Sequence, residues 1–364
     1  MVVVNLVYGL TLPLLSLVLD AQGYSKTMIG LSIVAQASAG VLLAPVMSKL
    51  IMRFGAARSM QFATLISAVM LMLLGLTQDA YAWLPLRFIL GAAGAMLWSA
   101  SETVINELAG DDWRGRIIGI YGSAGAAGFA LGPLILIFTG TTGLLPFIVT
   151  ASFVVAASLP LLWLPKDAAV SDEASHTSLM RIFKLVPHIM LLNLAYAAAV
   201  EAFIAFFPLF GLHIGLGEVR SLSLLTVFAL GGVVLTIPLG WLADHMDKYK
   251  LLFACILLTV VGFIMLPSLV AYPVVGPVFS FLLGGFDGMV YVMGVILLGQ
   301  KFRGAELAAA SVLYTGMWGA GTMLGPAIIG AGMDIIGNQS MAYMIAAIYI
   351  IYLPVLVFAD RDKR

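Results

Sequence analysis

Charge is scarce in this sequence. Only 10% of its 364 residues are aspartate, glutamate, lysine or arginine, whereas 62% are hydrophobic. Soluble domains carry about 25% charged residues, so a chain of this composition lacks the polar side chains needed to cover a surface in water. Apolar runs long enough to cross a hydrocarbon core of ~30 Å recur along the whole chain. The composition predicts an all-α integral membrane protein in a lipid bilayer.

Residues and motifs that carry chemistry are also scarce. Cys255 is the only cysteine, which excludes a disulfide within the chain, and the histidines form no His-x-x-x-His pair. No Gly-Lys dipeptide occurs, which excludes the usual phosphate-binding loop of a nucleotide-driven pump. The formal net charge is zero, so no nucleic acid partner is indicated. We therefore expect no metal site, no cofactor and no enzymatic activity.

The apolar runs predict twelve transmembrane helices, which we number as spans 1 to 12. One polar run of real length, 165–185, divides them into an N-terminal half at 1–164 and a C-terminal half at 186–364, with six spans each. We interpret this run as a linker between the halves. The predicted spans are 2–20, 27–53, 58–78, 81–109, 113–139, 143–164, 186–213, 219–244, 250–271, 273–301, 305–334 and 339–359.

Lysine and arginine residues lie almost entirely on one side of this topology. Fifteen of the eighteen fall on the side that holds the linker and both termini. Basic residues accumulate in the cytoplasmic loops of membrane proteins. Both termini and the linker are therefore predicted to be cytoplasmic.

The two halves repeat each other at a constant offset. LGAAGAMLW at 90–98 aligns with LGGFDGMVY at 283–291, and GFALGP at 128–133 aligns with GTMLGP at 321–326. Both pairs lie 193 positions apart. Parallel repeats of this kind are typical of transporters, in which the substrate binds near the bilayer midplane between the repeats.

Embedded polar and charged side chains recur on every third span. Ionisable groups at membrane depth cost about 2.5–3.5 kcal/mol each, so they face a bundle interior or water. Spans 1, 4, 7 and 10 are therefore predicted to line a cavity, and spans 3, 6, 9 and 12 to face lipid. For proton coupling or substrate binding we single out Asp287, Glu201, Arg87 and Glu102, and as further lining residues Asn5, Tyr8, Trp98, Asn193, Tyr196 and Tyr291.

Glu201 and Asp287 reach the same predicted depth, near the bilayer midplane, on spans 7 and 10. Burial and mutual repulsion both disfavour the charged form of a carboxyl group. Such a group can take up a proton on one side of the membrane and release it on the other. Two other interpretations of Asp287 stay open, as the partner of a cationic substrate and as a structural contact of Tyr291.

Arg87 and Glu102 share a face of span 4 but lie fifteen residues apart, or ~22 Å along a helix, so they cannot touch. Arg87 is predicted towards the outside, where a carboxylate or backbone carbonyls could hold it. Glu102 is predicted towards the cytoplasm, either as a functional acid or as a buried carboxyl group bonded to Ser99 or Ser101.

The loop after span 8 carries the sequence GWLADHMDK. Gly240, Asp244 and Lys248 in this sequence resemble the loop motif of the major facilitator superfamily. The corresponding loop of the first half keeps Arg53 and Gly55 of the motif but lacks its first glycine and its aspartate. We treat these five residues as a gating motif.

Span 5 resembles another motif of that superfamily. Gly128, Gly132 and Pro133 have the spacing associated with its antiporters, although the closing glycine pair is missing, and Gly325 and Pro326 repeat the pattern in the second half. Glycines four residues apart let helices approach closely. They serve either packing alone or a moving contact between the halves.

The resemblance covers the whole chain. It implies twelve helices in two pseudo-symmetric six-helix halves that rock about a central site. It further implies that Asp244 caps the start of span 5 at Trp113 and holds the cytoplasmic side shut, and that Arg87 influences a proton site.

These observations predict a monomeric secondary active transporter that exports a small organic molecule in exchange for protons, so that a proton gradient takes the place of a cofactor. Uptake by proton symport and facilitated diffusion stay open as alternatives. A membrane-embedded enzyme is disfavoured because the chain offers neither a nucleophile–base pair nor a metal cluster. A transporter-derived sensor is disfavoured because no additional soluble domain is predicted.

Overall fold

The computed structural model describes residues 2–77, 79–108, 114–163 and 178–361, and these residues form fourteen α-helices and one short 3-10 helix at Leu159–Trp163. The α-helices are α1 (Val2–Ala21), α2 (Lys26–Phe54), α3 (Ala56–Leu76), α4 (Ala80–Leu108), α5 (Arg114–Thr139), α6 (Leu145–Ser158), α7 (Leu179–Leu185), α8 (Pro187–His213), α9 (Glu218–Val234), α10 (Thr236–His245), α11 (Lys248–Leu269), α12 (Val275–Lys301), α13 (Gly304–Ile336) and α14 (Ser340–Arg361).

The helices confirm the predicted all-α membrane fold. Within the described ranges, ten candidate spans are long and apolar enough to cross a membrane, and Ala124–Thr139 and Leu145–Leu161 are shorter apolar helical segments. Span 8 is divided into α9 and α10. Pro238 follows the division closely and has no N–H to offer the carbonyl four residues earlier, which explains the interruption.

The end of the predicted linker is helical. Residues 179–185, which we assigned to the linker on account of their basic side chains, form α7, and α7 packs against α8 and α13. Ile182 is buried. The apolar side chains of the sequence LMRIFKL therefore determine how this helix packs, in spite of its two charged residues. Residues 164–177 of the linker lie outside the described residues.

The packing of Cα atoms divides the chain into two compact units. The first contains Met1–Tyr24 and Leu31–Asp172, and the second contains Ser25–Gly30 and Glu173–Arg364. In the first unit α1 packs on α5, and α3 packs on α4 and α6. In the second unit α8 packs on α13, and α11 packs on α12 and α14. Corresponding helices of the two sequence repeats therefore pair in the same way inside each unit.

The repeated glycines add a further helix pairing that the two units share. A Cβ atom on Gly91 of α4 would collide with the backbone carbonyl of Gln36 on α2. A Cβ atom on Gly284 of α12 would collide with the backbone carbonyl of Phe228 on α9. Small residues allow helix backbones to approach this closely. The repeat in sequence is thus also a repeat in packing.

The glycines of the span 5 motif and of its repeat each pack against a helix of their own unit. A Cβ atom on Gly132 would overlap the backbone of Gly9, which joins α5 to α1. A Cβ atom on Gly325 would overlap the backbone of Ala198, which joins α13 to α8. Of the two functions that the sequence left open, these contacts support packing within a half. The other members of the motif are Gly128 and Pro133 inside α5 and Pro326 inside α13.

The start of α2 is capped by a side chain from the distant helix α13. Asp334 accepts hydrogen bonds from the backbone N–H of Lys26 at 2.9 Å, from the N–H of Thr27 at 2.8 Å and from the Thr27 hydroxyl at 2.6 Å. The first N–H groups of a helix have no partners within it, and a carboxylate there also offsets the positive end of the helix dipole. This cap explains why Ser25–Gly30 belong to the second unit.

Candidate functional site

The two acidic residues predicted at the midplane are both buried in the second unit. Glu201 on α8 is 6% exposed and Asp287 on α12 is 1% exposed. Helix α8 is buried over more of its length than any other candidate span in the described chain. A helix that is apolar on all sides belongs in the centre of a bundle, and α8 carries Glu201 into that position.

Asp287 is held by a tyrosine from a different helix. The hydroxyl of Tyr349 on α14 donates to Oδ1 of Asp287 at 2.6 Å. The structural contact that the sequence suggested with Tyr291, one turn away on the same helix, is made by Tyr349 instead. Span 12 was predicted to face lipid, yet α14 also presents this fully buried tyrosine to the interior of the unit. Among the described residues, Oδ2 of Asp287 has no hydrogen-bond partner.

Glu201 lies beside a tryptophan that the sequence analysis did not single out. The indole of Trp318 on α13 interacts with the carboxyl group of Glu201. Oε2 of Glu201 is buried and receives no hydrogen bond from the part of the chain that is described. Each of the two acids therefore retains one carboxyl oxygen that no described protein group bonds.

Four aromatic side chains, which we call the aromatic cluster, pack together next to these acids. Tyr196 stacks on Tyr291 with ring centroids 5.5 Å apart, and Trp318 lies 5.5 Å from Tyr196 and 5.4 Å from Tyr291. Tyr314 lies 5.9 Å from Tyr291. The cluster joins α8, α12 and α13. Tyr196 and Tyr291 were predicted as lining residues, whereas Tyr314 and Trp318 were missed.

The aromatic cluster extends from the interior to an accessible face. Tyr196 and Tyr314 are buried, whereas Tyr291 and Trp318 are partly exposed. Tyr196 lies close enough to both carboxyl groups to interact with them electrostatically. The buried acids and the accessible rings thus belong to one continuous site.

Asn193 serves a contact between helices. Its side chain is buried, and its Nδ2 donates to the backbone carbonyl of Tyr314 at 2.6 Å, which ties α8 to α13 below the aromatic cluster. Its Oδ1 has no hydrogen-bond partner within the described ranges. The predicted lining residue is therefore buried behind the rings and supports one of them.

Arg87 is fully buried in the first unit and bonds to neutral polar side chains. Its Nε donates to Oε1 of Gln36 at 3.1 Å, and its Nη1 donates to Oγ of Ser32 at 2.8 Å. Of the two interpretations that the sequence left open, a carboxylate or backbone carbonyl partner was wrong for the described residues, and an influence on a proton site stays a prediction. Ser32 and Gln36 lie four residues apart on one face of α2, and this polar pair in an apolar helix was the signal that could have identified them.

Glu102 is exposed and bonds within its own helix. Its Oε1 accepts a hydrogen bond from Nε1 of Trp98 at 2.8 Å, one turn earlier. The donor to this oxygen is thus Trp98, which the sequence proposed only as a lining residue, and Ser101 donates to the Trp98 carbonyl. Glu102 therefore lies apart from the buried polar contacts of Arg87.

The lining residues predicted on span 1 lie near α4. Asn5 and Tyr8 are partly buried on α1. A Cβ atom on Gly94 would lie 3.1 Å from the Tyr8 hydroxyl. Tyr8, Gly94 and Gln36 line a small cavity of the first unit together with Val4, Val7, Ser67, Leu90, Leu97 and Val154.

The loop after α10 caps the helix that follows it with Asp247, which the sequence analysis did not single out. Oδ1 of Asp247 accepts from the N–H of Tyr249 at 2.9 Å and from the N–H of Lys250 at 3.0 Å, and thereby caps α11. Asp244 is exposed at the end of α10. The start of span 5 at Trp113 lies outside the described residues, so the latch between them stays a prediction.

The remaining residues of the gating motif have simple local surroundings. Gly55 precedes α3 with φ at +81°, a backbone conformation that favours glycine. The Arg53 guanidinium lies 5.5 Å from the centre of the Phe54 ring. Lys248 begins α11, and Gly240 in α10 has open space where a Cβ atom would lie.

Two overlapping segments, 1–274 and 189–364, match the family profile of the Major Facilitator Superfamily, and together they cover the whole chain. The chain belongs to the major facilitator superfamily. Relatives in this superfamily include the uncharacterized MFS-type transporter YfkF of Bacillus subtilis (strain 168). YfkF is 25% identical over 349 residues, which cover 93% of this chain and 88% of YfkF.

Other relatives and solved structures agree with this assignment. The uncharacterized MFS-type transporter YcaD of Escherichia coli (strain K12 / DH10B) is 26% identical over 84% of this chain and 80% of its own. A crystal structure of the nucleoside transporter NupG has a TM-score of 0.80 at 14% identity, covering 98% of this chain and 96% of its own. The D-xylose-proton symporter has a TM-score of 0.77 at 15% identity, covering 98% and 95%. These two structures confirm the fold.

Proposed function

We propose that this superfamily member is a proton-coupled secondary active transporter of a small organic molecule, acting as a monomer in the bacterial inner membrane with both termini in the cytoplasm. The observation that carries this proposal is the pair of buried acids in the second unit. Glu201 and Asp287 each have one buried carboxyl oxygen without a hydrogen-bond partner among the described residues. An oxygen in this situation is able to hold a proton.

The charges in the second unit support this assignment. Burying a carboxylate without a cationic partner is costly, so the group is neutralised by a proton or by a bound cation. The sequence contains no lysine or arginine at 221–247, 251–300 or 304–360, and none at 187–213 on the helix of Glu201. The helices that carry the two acids therefore supply no permanent cation along their membrane-spanning lengths. A proton is the simplest neutralising partner.

The direction of transport is proposed from the span 5 motif. Gly128, Gly132 and Pro133 have the spacing that resembles antiporters, which favours export in exchange for protons. The second candidate is uptake by proton symport, favoured by the fold shared with a D-xylose-proton symporter. Both modes use the same acids and alternate access to them from the two sides.

Accumulation assays in inside-out vesicles test coupling and direction together. A compound that raises the thermal midpoint of the purified protein serves as the substrate. In the antiport mode an acidic vesicle interior drives its accumulation, whereas in the symport mode the same gradient drives its loss. Asp287→Asn and Glu201→Gln mimic the neutral acids and are expected still to bind the compound at saturating concentrations but to lose gradient-driven movement.

Glu306→Gln provides the matched control because Glu306 is an exposed acid of the same unit. It is expected to transport as the wild type does. Gradient-driven accumulation by Asp287→Asn and Glu201→Gln at the wild-type rate would contradict the proposal.

A further inference from the structure

We infer that the aromatic cluster and the two buried acids form a binding site for a lipophilic organic cation. This inference rests on the proposed transport function, and it names the class of substrate for the same site. The structural features that carry it are the packing of Tyr196, Tyr291, Tyr314 and Trp318 against one another, and the proximity of Tyr196 to both buried carboxyl groups and of Trp318 to that of Glu201.

The aromatic side of the site provides attraction for a positive charge. The faces of tryptophan and tyrosine rings attract cations through their quadrupoles, and the attraction increases when the cation leaves water. The accessible part of the cluster belongs to Trp318 and Tyr291, whose ring centroids lie 5.4 Å apart in a T-shaped arrangement. A lipophilic cation is weakly hydrated, so it loses little hydration when it packs against these rings.

The polar side of the site offers acceptors to a ligand. Among the described residues, the buried side-chain atoms without partners next to the cluster are Oδ1 of Asn193, Oε2 of Glu201 and Oδ2 of Asp287. All three are acceptors when the acids are ionised. Two neighbouring donors already bond to the protein, since Tyr349 bonds Asp287 and Nδ2 of Asn193 bonds the Tyr314 carbonyl. A positively charged ligand therefore matches the site when the acids are ionised.

Neutral and anionic ligands fit these side chains less well. A neutral ligand such as a sugar or nucleoside would leave an ionised carboxylate of the site without a charged partner. An anion would lie beside two carboxyl groups in a unit whose membrane-spanning segments lack lysine and arginine over 221–247, 251–300 and 304–360. The charges of the site and its hydrogen-bond acceptors thus both favour a cationic ligand.

Binding of tetraphenylphosphonium to the purified, full-length protein tests this site without any proton gradient. Tetraphenylborate has the same shape and the opposite charge and serves as the ligand control. Wild-type protein is expected to bind the cation and not the anion. Equal binding of both ions would overturn the inference, because it would reflect apolar partitioning alone.

Substitutions in the cluster distinguish the contribution of the aromatic rings to binding from that of their polar groups. Trp318→Leu and Tyr291→Leu are expected to weaken binding of the cation by about 2- to 30-fold, the range that one cation–π contact supplies. Tyr291→Phe keeps the ring and is expected to weaken binding less than Tyr291→Leu does. Phe253→Leu removes an exposed ring of α11, away from the cluster, and is the control for losing an aromatic side chain. Unchanged affinity in both leucine variants of the cluster would overturn the inference.

Asp287→Asn is expected to weaken binding of the cation by about tenfold or more, because a charged partner becomes neutral. Wild-type affinity in this variant would count against the site. The thermal midpoint of each variant without ligand shows whether it is folded. Binding is measured at equilibrium without a gradient, so an absence of cation binding would not contradict proton coupling. An absence of gradient-driven transport in the vesicle assay would not contradict the cation site.

Discussion

At the scale of single residues, the buried polar contacts join helices that are distant in sequence. Tyr349 lies 62 positions from Asp287, and Ser32 and Gln36 lie 55 and 51 positions from Arg87. The buried charges could be predicted because each interrupts an apolar run. Their partners could not, because an uncharged tyrosine, serine or glutamine does not stand out in a membrane helix, and one sequence gives no distances between helices.

The hydrogen bond between Tyr349 and Asp287 leads to a prediction about stability. Tyr349→Phe leaves Oδ1 of Asp287 without its donor and is expected to lower the free energy of unfolding by about 1–3 kcal/mol. Thermal unfolding in detergent measures the change. Tyr343→Phe, an exposed position of the same helix, is the control and is expected to unfold as the wild type does. Equal midpoints for both variants would show that the buried hydrogen bond contributes nothing.

The surroundings of Arg87 lead to a second prediction at this scale. Ser32→Ala and Arg87→Met each remove one side of the same hydrogen bond, so the effects of the two substitutions are expected not to add. The coupling free energy from a double-mutant cycle is expected to be about 1 kcal/mol or more. Strict additivity of the two changes in unfolding free energy would contradict the contact.

At the scale of elements, glycine positions determine which helices pair. Gly284→Ala places a Cβ atom against the Phe228 carbonyl and is expected to lower stability by about 1–3 kcal/mol. Gly299 lies in the same helix, with open space where a Cβ atom would lie. Gly299→Ala is therefore expected to keep or slightly raise stability, since alanine favours helix more than glycine does. Thermal unfolding of the two variants compares close packing with helix propensity directly.

The cap of α2 leads to a further prediction at this scale. Asp334→Ala removes the acceptor for two backbone N–H groups and is expected to cost about 0.5–2 kcal/mol of stability, and Asp334→Asn is expected to cost less. Unfolding midpoints of the two variants measure the difference. An alanine variant as stable as the wild type would contradict the capping role.

The sequence predicted the elements more reliably than their ends. Twelve apolar runs and the repeat of Gly91 and Gly284 lead directly to the helices and to their pairing. The short helix α7 was missed, because it lies at the end of a polar run that was assigned to the linker as a whole. Asp247 was missed as the cap of α11, because that role depends on where α11 begins, and composition does not give that residue.

At the scale of the whole molecule, membership of the superfamily establishes the fold and the transporter class. The orientation in the membrane, in contrast, is inferred only from the distribution of lysine and arginine residues. A membrane-impermeant maleimide tests the orientation. Ser178→Cys, next to the linker, is expected to resist labelling in intact cells, and Gln22→Cys, after α1, is expected to label. Both positions are exposed, and the native Cys255 is buried, which keeps the background low. Labelling of Ser178→Cys from outside would reverse the topology.

Proton coupling through the buried acids is the central claim, and it can be measured without knowing the substrate. Proteoliposomes adsorbed on a solid-supported membrane report charge that moves into the protein after a rapid change of pH. The wild type and Glu306→Gln are expected to give a transient current, because protons reach Glu201 and Asp287 at membrane depth. The double variant Glu201→Gln/Asp287→Asn is expected to give none. A transient of wild-type size in the double variant would contradict the account.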